Sequence, residues 1–211
     1  MRMRKKKNLG PRMERCAEVQ VFEPETLRGR WAKETGYGEI RAELGCGKGR
    51  FTAGTAEQNP DSLLVALEKV PDAMVVGMEH VCEQNLKNVR FLDMDVNRLT
   101  EVFAPGEVSV IYINFPDPWP RSREAKRRLT SPLFLELYKT VLAPGGRIEF
   151  KTDQAPLFQY SLEQLDLAGF DVIEATGDLH ADGPVGVMTD YEAKFYEQGV
   201  KINRCVAVKP L

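Results

Sequence analysis

The sequence predicts an α/β fold, a mostly parallel sheet of seven strands covered by helices on both faces, with the last strand antiparallel. Short apolar runs closed by Gly, Pro, Asn or Asp alternate with helical stretches from Glu39 onward. A 211-residue chain that is 43% hydrophobic suffices for one sizeable core, so a single domain over residues 1–211 is expected.

The predicted strands are Glu39–Leu44, Leu63–Glu68, Val89–Asp93, Val108–Asn114, Gly146–Lys151, Phe170–Ala175 and Ile202–Val208. Helical patterning falls at Arg50–Glu57, Pro71–Gln84, Pro132–Leu142, Pro156–Ala168 and Tyr191–Gln198. The final strand follows a helix and alternates apolar residues, which suits antiparallel insertion. Ahead of the first strand, residues 1–12 are basic and almost free of apolar side chains; they read as a mobile arm, either solvated or available to nucleic acid.

Composition removes several chemistries. The four cysteines are scattered without C-x-x-C or zinc spacing, and only His80 and His180 are present. A multi-histidine metal site or a histidine triad therefore has little to draw on, and no metal is expected. No apolar stretch approaches a membrane span and the basic N-terminus lacks an apolar segment behind it; a cytoplasmic protein without membrane partners is expected. The net charge of −2 makes no general case for nucleic acid, so local clusters must make it.

In parallel sheets of this kind ligands bind beyond the carboxyl ends of the strands. Glu43-Leu44-Gly45-Cys46-Gly47-Lys48-Gly49 lies at the first such end. Gly45, Gly47 and Gly49 permit a tight strand-to-helix turn and close ligand approach, but G-x-G-x-G is not the dinucleotide spacing, and no phosphate-clamping lysine loop is present. Glu43 repels phosphate and suits an ammonium group, which favours S-adenosylmethionine. Glu68 closes the second strand about twenty positions beyond the glycines, where a carboxylate accepts ribose hydroxyls, and Asp95 follows the third. Singly, each acid is also what a helix N-cap at such a junction requires.

The fourth strand runs into Asn114-Phe115-Pro116-Asp117-Pro118-Trp119-Pro120. Its prolines stiffen a loop that offers a carboxylate and two aromatics to a flat base; core packing of the aromatics and turn capping by Asp117 are the plainer alternative. Directly after it, Arg121, Arg123, Lys126, Arg127 and Arg128 form a cationic cluster placed to meet phosphates. Further on, Asp153 ends the fifth strand, and Thr189-Asp190-Tyr191-Glu192 is a substrate contact or simply a capping box.

These residues resemble the bacterial tRNA (guanine-N7)-methyltransferases over nearly the whole chain. The likeness rests on the glycine turn, Asn114 to Trp119, Lys126-Arg127-Arg128, Lys151-Thr152-Asp153 and Thr189-x-Tyr191-Glu192. It implies a Rossmann-like methyltransferase fold, cofactor contacts from Glu43, Gly45, Gly47, Gly49, Glu68, Asp95 and Asp117, and catalysis at Asp117. It further implies substrate contacts from Arg121, Asp153, Thr189, Tyr191 and Glu192, and an RNA-binding stretch of Arg123, Lys126, Arg127 and Arg128. The implied substrate is a guanine in the tRNA variable loop, handled by a monomer or homodimer. Arg121 departs from the usual Lys and Glu124 from a common His, and the first change alters donor geometry towards RNA. Methylation of an exocyclic amine, a small-molecule acceptor and a tRNA-binding protein that has lost its cofactor are the competing expectations.

Overall fold

A computed structural model describes residues 6–211. One seven-stranded sheet organises them: β1 (Glu39–Leu44), β2 (Ser62–Glu68), β3 (Val89–Asp93), β4 (Val108–Asn114), β5 (Leu142–Thr152), β6 (Asp171–Thr176) and β7 (Asn203–Val208). Their spatial order is β3-β2-β1-β4-β5-β7-β6. Strands β1 to β5 pair in parallel, while β7 inserts antiparallel to both β5 and β6.

Strand β2 shows why the sheet is covered twice. Its sequence Ser-Leu-Leu-Val-Ala-Leu-Glu is apolar without alternation, as a strand buried on both faces requires. Leu63, Val65 and Leu67 point into one core, with Trp31, Leu99, Leu135, Tyr138 and Leu165. Leu64 and Ala66 point into the other, with Phe51, Met74, Met78 and Phe91. The helices α2 (Trp31–Thr35), α5 (Leu99–Val102), α6 (Pro132–Val141) and α7 (Ala155–Leu167) cover the first face; α1 (Leu9–Arg15), α3 (Arg50–Gln58) and α4 (Pro71–Glu83) cover the second. The remaining helix, α8 (Asp190–Glu197), precedes β7.

The basic arm expected at residues 1–12 falls partly on residues 1–5, outside the described residues. Leu9 to Arg12 differ from the expectation, because they begin α1. Tertiary contact overrides the local composition: Arg12 grips Glu79 of α4 with a 2.7 Å bond from Nε, and Met13 packs on the second core. Strand β5 starts four residues earlier than expected, since Leu142 pairs with Val108 before a register shift at Val108/Val110. Gly145, at φ 73°, supplies the irregular backbone there.

Helices α3 and α4 touch backbone to backbone at Gly49 and Gly77. A Cβ placed on Gly49 would lie 2.4 Å from the Gly77 Cα, and one on Gly77 would lie 3.1 Å from the Gly49 Cα. Glycine at 49 is required for this approach and glycine at 77 keeps it uncrowded, which brings the N-terminus of α3 against α4.

Candidate active site

Strand order reverses between β1 and β4, because the chain steps outward from β1 to β3 and then returns to β4. The crevice at that switch point is where a doubly wound sheet binds ligands. A cleft of about 610 Å³ opens there. Its wall unites Glu43, Gly45, Gly47, Gly49 and Glu68 with Asn114 to Pro118, Asp153, Thr189 and Tyr191.

Glu43 is 1% exposed at the end of β1. Its carboxylate accepts from Thr52 Oγ1 at 2.6 Å and from Asn114 Nδ2 at 3.5 Å. Burial pushes the Glu43 carboxyl up to about 7, against the pull of the Thr52 and Asn114 bonds. Lys151 acts on the same carboxyl in the same downward direction, without overcoming the effect of burial.

Glu68 staples the two turns that frame the cleft. Its Oε2 accepts from the Gly47 amide and its Oε1 from the Val70 amide, both at 2.9 Å. Gly45 and Gly47 are left-handed, at φ 79° and 57°, with open space where a Cβ would stand; the backbone there is bare to a ligand. Cys46 is buried beside Glu43 and Glu68, and burial drives its thiol well above the ordinary range, so it is a neutral thiol and no nucleophile.

Across the cleft the proline-rich loop holds Phe115 at φ 50° and Trp119 at φ 40°, conformations that L-residues adopt only when their surroundings impose them. The Phe115 amide donates to Lys151 O at 2.9 Å. Arg128 donates from Nη2 to Trp119 O at 3.0 Å and from Nε to Pro118 O at 3.2 Å. The loop leaves Asp117 exposed at the cleft wall. Phe115 faces Phe195 at 6.0 Å between ring centroids, and Phe195 faces Tyr191 at 6.4 Å, giving an aromatic row for a planar group.

Other expected residues sit elsewhere. Trp119 is outside the cleft wall, with one ring face covered by the Arg127 guanidinium at 4.1 Å; Arg127 and Arg128 therefore brace the loop. Arg121, Arg123 and Lys126 are exposed beside it. Asp95 is not part of the cleft wall either: it caps the turn Val96–Arg98 by accepting from the Asn97 amide at 2.9 Å, which holds its carboxyl below the usual range.

Glu192, expected to touch substrate, is 0% exposed. The capping box with Thr189 is present, and the same carboxylate accepts from Lys151 Nζ at 3.0 Å on both oxygens. His180 Nε2 lies 3.0 Å from Glu192 Oε1. Because His180 Nδ1 accepts from the Val185 amide at 3.2 Å, the ring proton belongs on Nε2, where it is donated to Glu192. The cluster fixes the start of α8 from beneath. Spacing alone does not reveal Lys151 or His180 as its members, since both partners are distant in sequence, nor does it reveal Asn114 and Thr52 as partners of Glu43.

The family model of a putative methyltransferase matches residues 38–205. A curated tRNA (guanine-N(7)-)-methyltransferase of Geobacillus kaustophilus is 41% identical over 212 residues, covering 100% of this chain and 98% of that protein. The Bacillus subtilis protein of the same name is 39% identical and covers 97% of each. The chain belongs to the tRNA (guanine-N(7)-)-methyltransferase family. Among solved structures, the 16S rRNA methyltransferase KamB superposes with a TM-score of 0.67 at 18% identity, covering 89% of this chain and 92% of that one. The [4+2]-cyclase SpnF reaches 0.59 at 17%, covering 89% and 81%. Those neighbours establish the Rossmann-like methyltransferase fold of this family member, and the cyclase illustrates that the fold does not dictate the reaction.

Proposed function

We infer that this protein transfers a methyl group from S-adenosylmethionine to N7 of a guanine in tRNA. The observation that carries the reading is one cleft in which the acid-lined glycine turn faces the Asp117 loop. The residues present suit the cofactor: buried Glu43 for its ammonium group, bare glycine backbone for close approach and Glu68 for its ribose. Asp95, one strand further along the same sheet end, lies on the side of β2 where the nucleoside end would extend. When bound, the cofactor supplies an electrophilic methyl group on a sulfonium.

Guanine N7 carries an in-plane lone pair and no proton, so its methylation requires no general base. The chain's task is alignment and charge stabilisation. Phe115, Phe195 and Tyr191 hold the purine plane, the braced proline loop fixes its edge, and Asp117 balances positive charge developing on the ring. Asp153 and Thr189 contact the nucleotide from the opposite wall. Arg121, Arg123 and Lys126 meet phosphates of the tRNA variable-loop region, with Arg127 and Arg128 acting on RNA chiefly through the loop that they brace.

Incubation with methyl-labelled S-adenosylmethionine and unmodified tRNA transcripts tests the reading. Label at N7-methylguanosine, located by borohydride/aniline cleavage, is the expected result. Label on an exocyclic amine, or none despite binding of both partners, would overturn it.

A further inference from the structure

The wall of the cleft that carries Thr189 and Tyr191 is tethered at two points upstream of α8. Lys151 Nζ, besides its bonds to Glu192, donates to Val187 O at 3.1 Å. Independently, the Val187 side chain occupies the space that a side chain at Gly54 would fill. A Cβ built on Gly54 would stand 2.7 Å from Val187 Cγ1, 3.6 Å from Cγ2 and 3.8 Å from Cβ.

Gly54 is in the interior of α3, where alanine is the better helix former and glycine needs a reason. Its backbone is ordinary right-handed helix, so conformation is not that reason. The missing Cβ is a hole, and Val187 is its knob. The contact joins α3, whose N-terminus forms the glycine turn on the cofactor side, to the segment immediately before Thr189 on the acceptor side.

We propose that Gly54 and Val187 are positioning residues that set the distance between the cofactor side of the cleft and its Thr189–Tyr191 wall. Neither belongs to the cleft wall; both act through the segment that Lys151 holds. The inference rests on the assignment of the cleft as the methyl-transfer site. Enlarging position 54 pushes Val187 outward and displaces the wall, while binding of the cofactor, seated on the other side of α3's N-terminus, is retained.

The distances prescribe a compensating pair. In Gly54→Ala the new methyl collides with Val187 Cγ1, whereas in Gly54→Ala/Val187→Ala the two Cβ atoms meet at 3.8 Å, an ordinary contact. Gly54→Ala is expected to lose about tenfold or more in kcat/KM for tRNA, because small misplacements at a reacting centre are costly. Its affinity for S-adenosylmethionine should stay within about twofold of wild type, and hydrogen exchange in residues 187–192 should quicken. The double variant should regain most of the activity and the protection.

A Gly54→Ala protein with wild-type turnover and exchange would overturn the proposal, as would a double variant no better than the single one. Should Gly54→Ala not fold, Val187→Ala removes the knob without crowding; unchanged exchange and turnover there refute the idea, and a loss in both supports it. Wild-type protein inactive on tRNA would sink the assigned function, whereas the exchange data judge the Gly54–Val187 contact whatever the acceptor.

Discussion

Thr52 donates its hydroxyl proton to Glu43 over 2.6 Å within the first turn of α3, tying the helix to a carboxyl that burial holds near neutrality. The Glu43 carboxyl titrates at about 7 against an ordinary 4.5, and its charged form is the one that an ammonium group needs. Affinity for S-adenosylmethionine should therefore rise as pH climbs through about 7, then fall as the ligand's α-amino group, near 8 in peptides, loses its proton. Calorimetry across pH 5.5 to 9 should trace that maximum with proton release on its acid limb. Glu43→Gln should bind weakly throughout and lack the acid limb; a parallel pH profile in the variant would remove Glu43 from the cofactor site.

The same residue has a stability consequence of fixed sign. Between about 4.5 and 7 the unfolded chain ionises Glu43 while the ligand-free fold keeps it protonated, so the fold binds more protons and its stability falls as pH rises across that window. The difference corresponds to roughly 3 kcal/mol above pH 7. Urea denaturation should find Glu43→Gln more stable than wild type at pH 8 and little different at pH 4, a trade of function against stability.

Much of this site is legible in the amino-acid sequence. The apolar runs locate all seven strands to within a few residues: central strands such as β2 are buried on both faces and leave an unbroken apolar signature, while the exposed edge strand β6 is legible only from its β-branched run Val172-Ile173 and its flanking turn residues. Acid and glycine at the ends of β1 and β2 marked the crevice, since the switch-point rule depends on chain order. Contacts between elements were not legible. Nothing in Leu9-Gly10-Pro11-Arg12 announces a helix, because the bond of Arg12 to Glu79 that anchors it spans 67 positions. Glu192 reads equally as capping residue and substrate ligand, and only its burial against Lys151 and His180 separates the two.

Asp117 stands exposed on a loop held by the Phe115 amide and by the Arg128 guanidinium. Asp117→Ala should fold normally and lose about a hundredfold or more in kcat, on the scale of removing one preorganised electrostatic group. Full turnover with intact cofactor affinity would end its catalytic assignment.

The basic stretch divides into two functions that salt can separate. Arg123→Ala and Lys126→Ala should each weaken tRNA binding and lower the slope of log K against log salt by about one, the signature of a lost phosphate contact. Arg128→Ala, whose guanidinium grips Pro118 O and Trp119 O, should instead depress kcat with a smaller change in slope. Equal slopes for all three variants would erase the distinction.

Breaking the cluster under α8 exposes its cost. Glu192→Ala leaves Lys151 as a buried, unpaired charge and should destabilise the fold by about 3–5 kcal/mol. Replacing both partners, as Lys151→Met/Glu192→Leu, should recover much of that loss in chemical denaturation while methyl transfer stays impaired, because the capping box and the Val187 tether disappear with them.

The third glycine of the turn obeys a different master from the first two. Gly45 and Gly47 leave room for a ligand, but Gly49 is closed off by Gly77 from a helix that the motif does not include. A side chain at position 49 cannot enter while α3 and α4 keep their spacing, because its Cβ would stand 2.4 Å from the Gly77 Cα, and one at position 77 would press on the Gly49 Cα and the Phe91 ring at 3.1 Å. Genetic drift at position 49 thus has no route that spares the helix crossing, and drift at position 77 crowds it. Across related chains, positions 49 and 77 should stay glycine together whatever acceptor the enzyme methylates, recording the history of a helix crossing and not of a substrate.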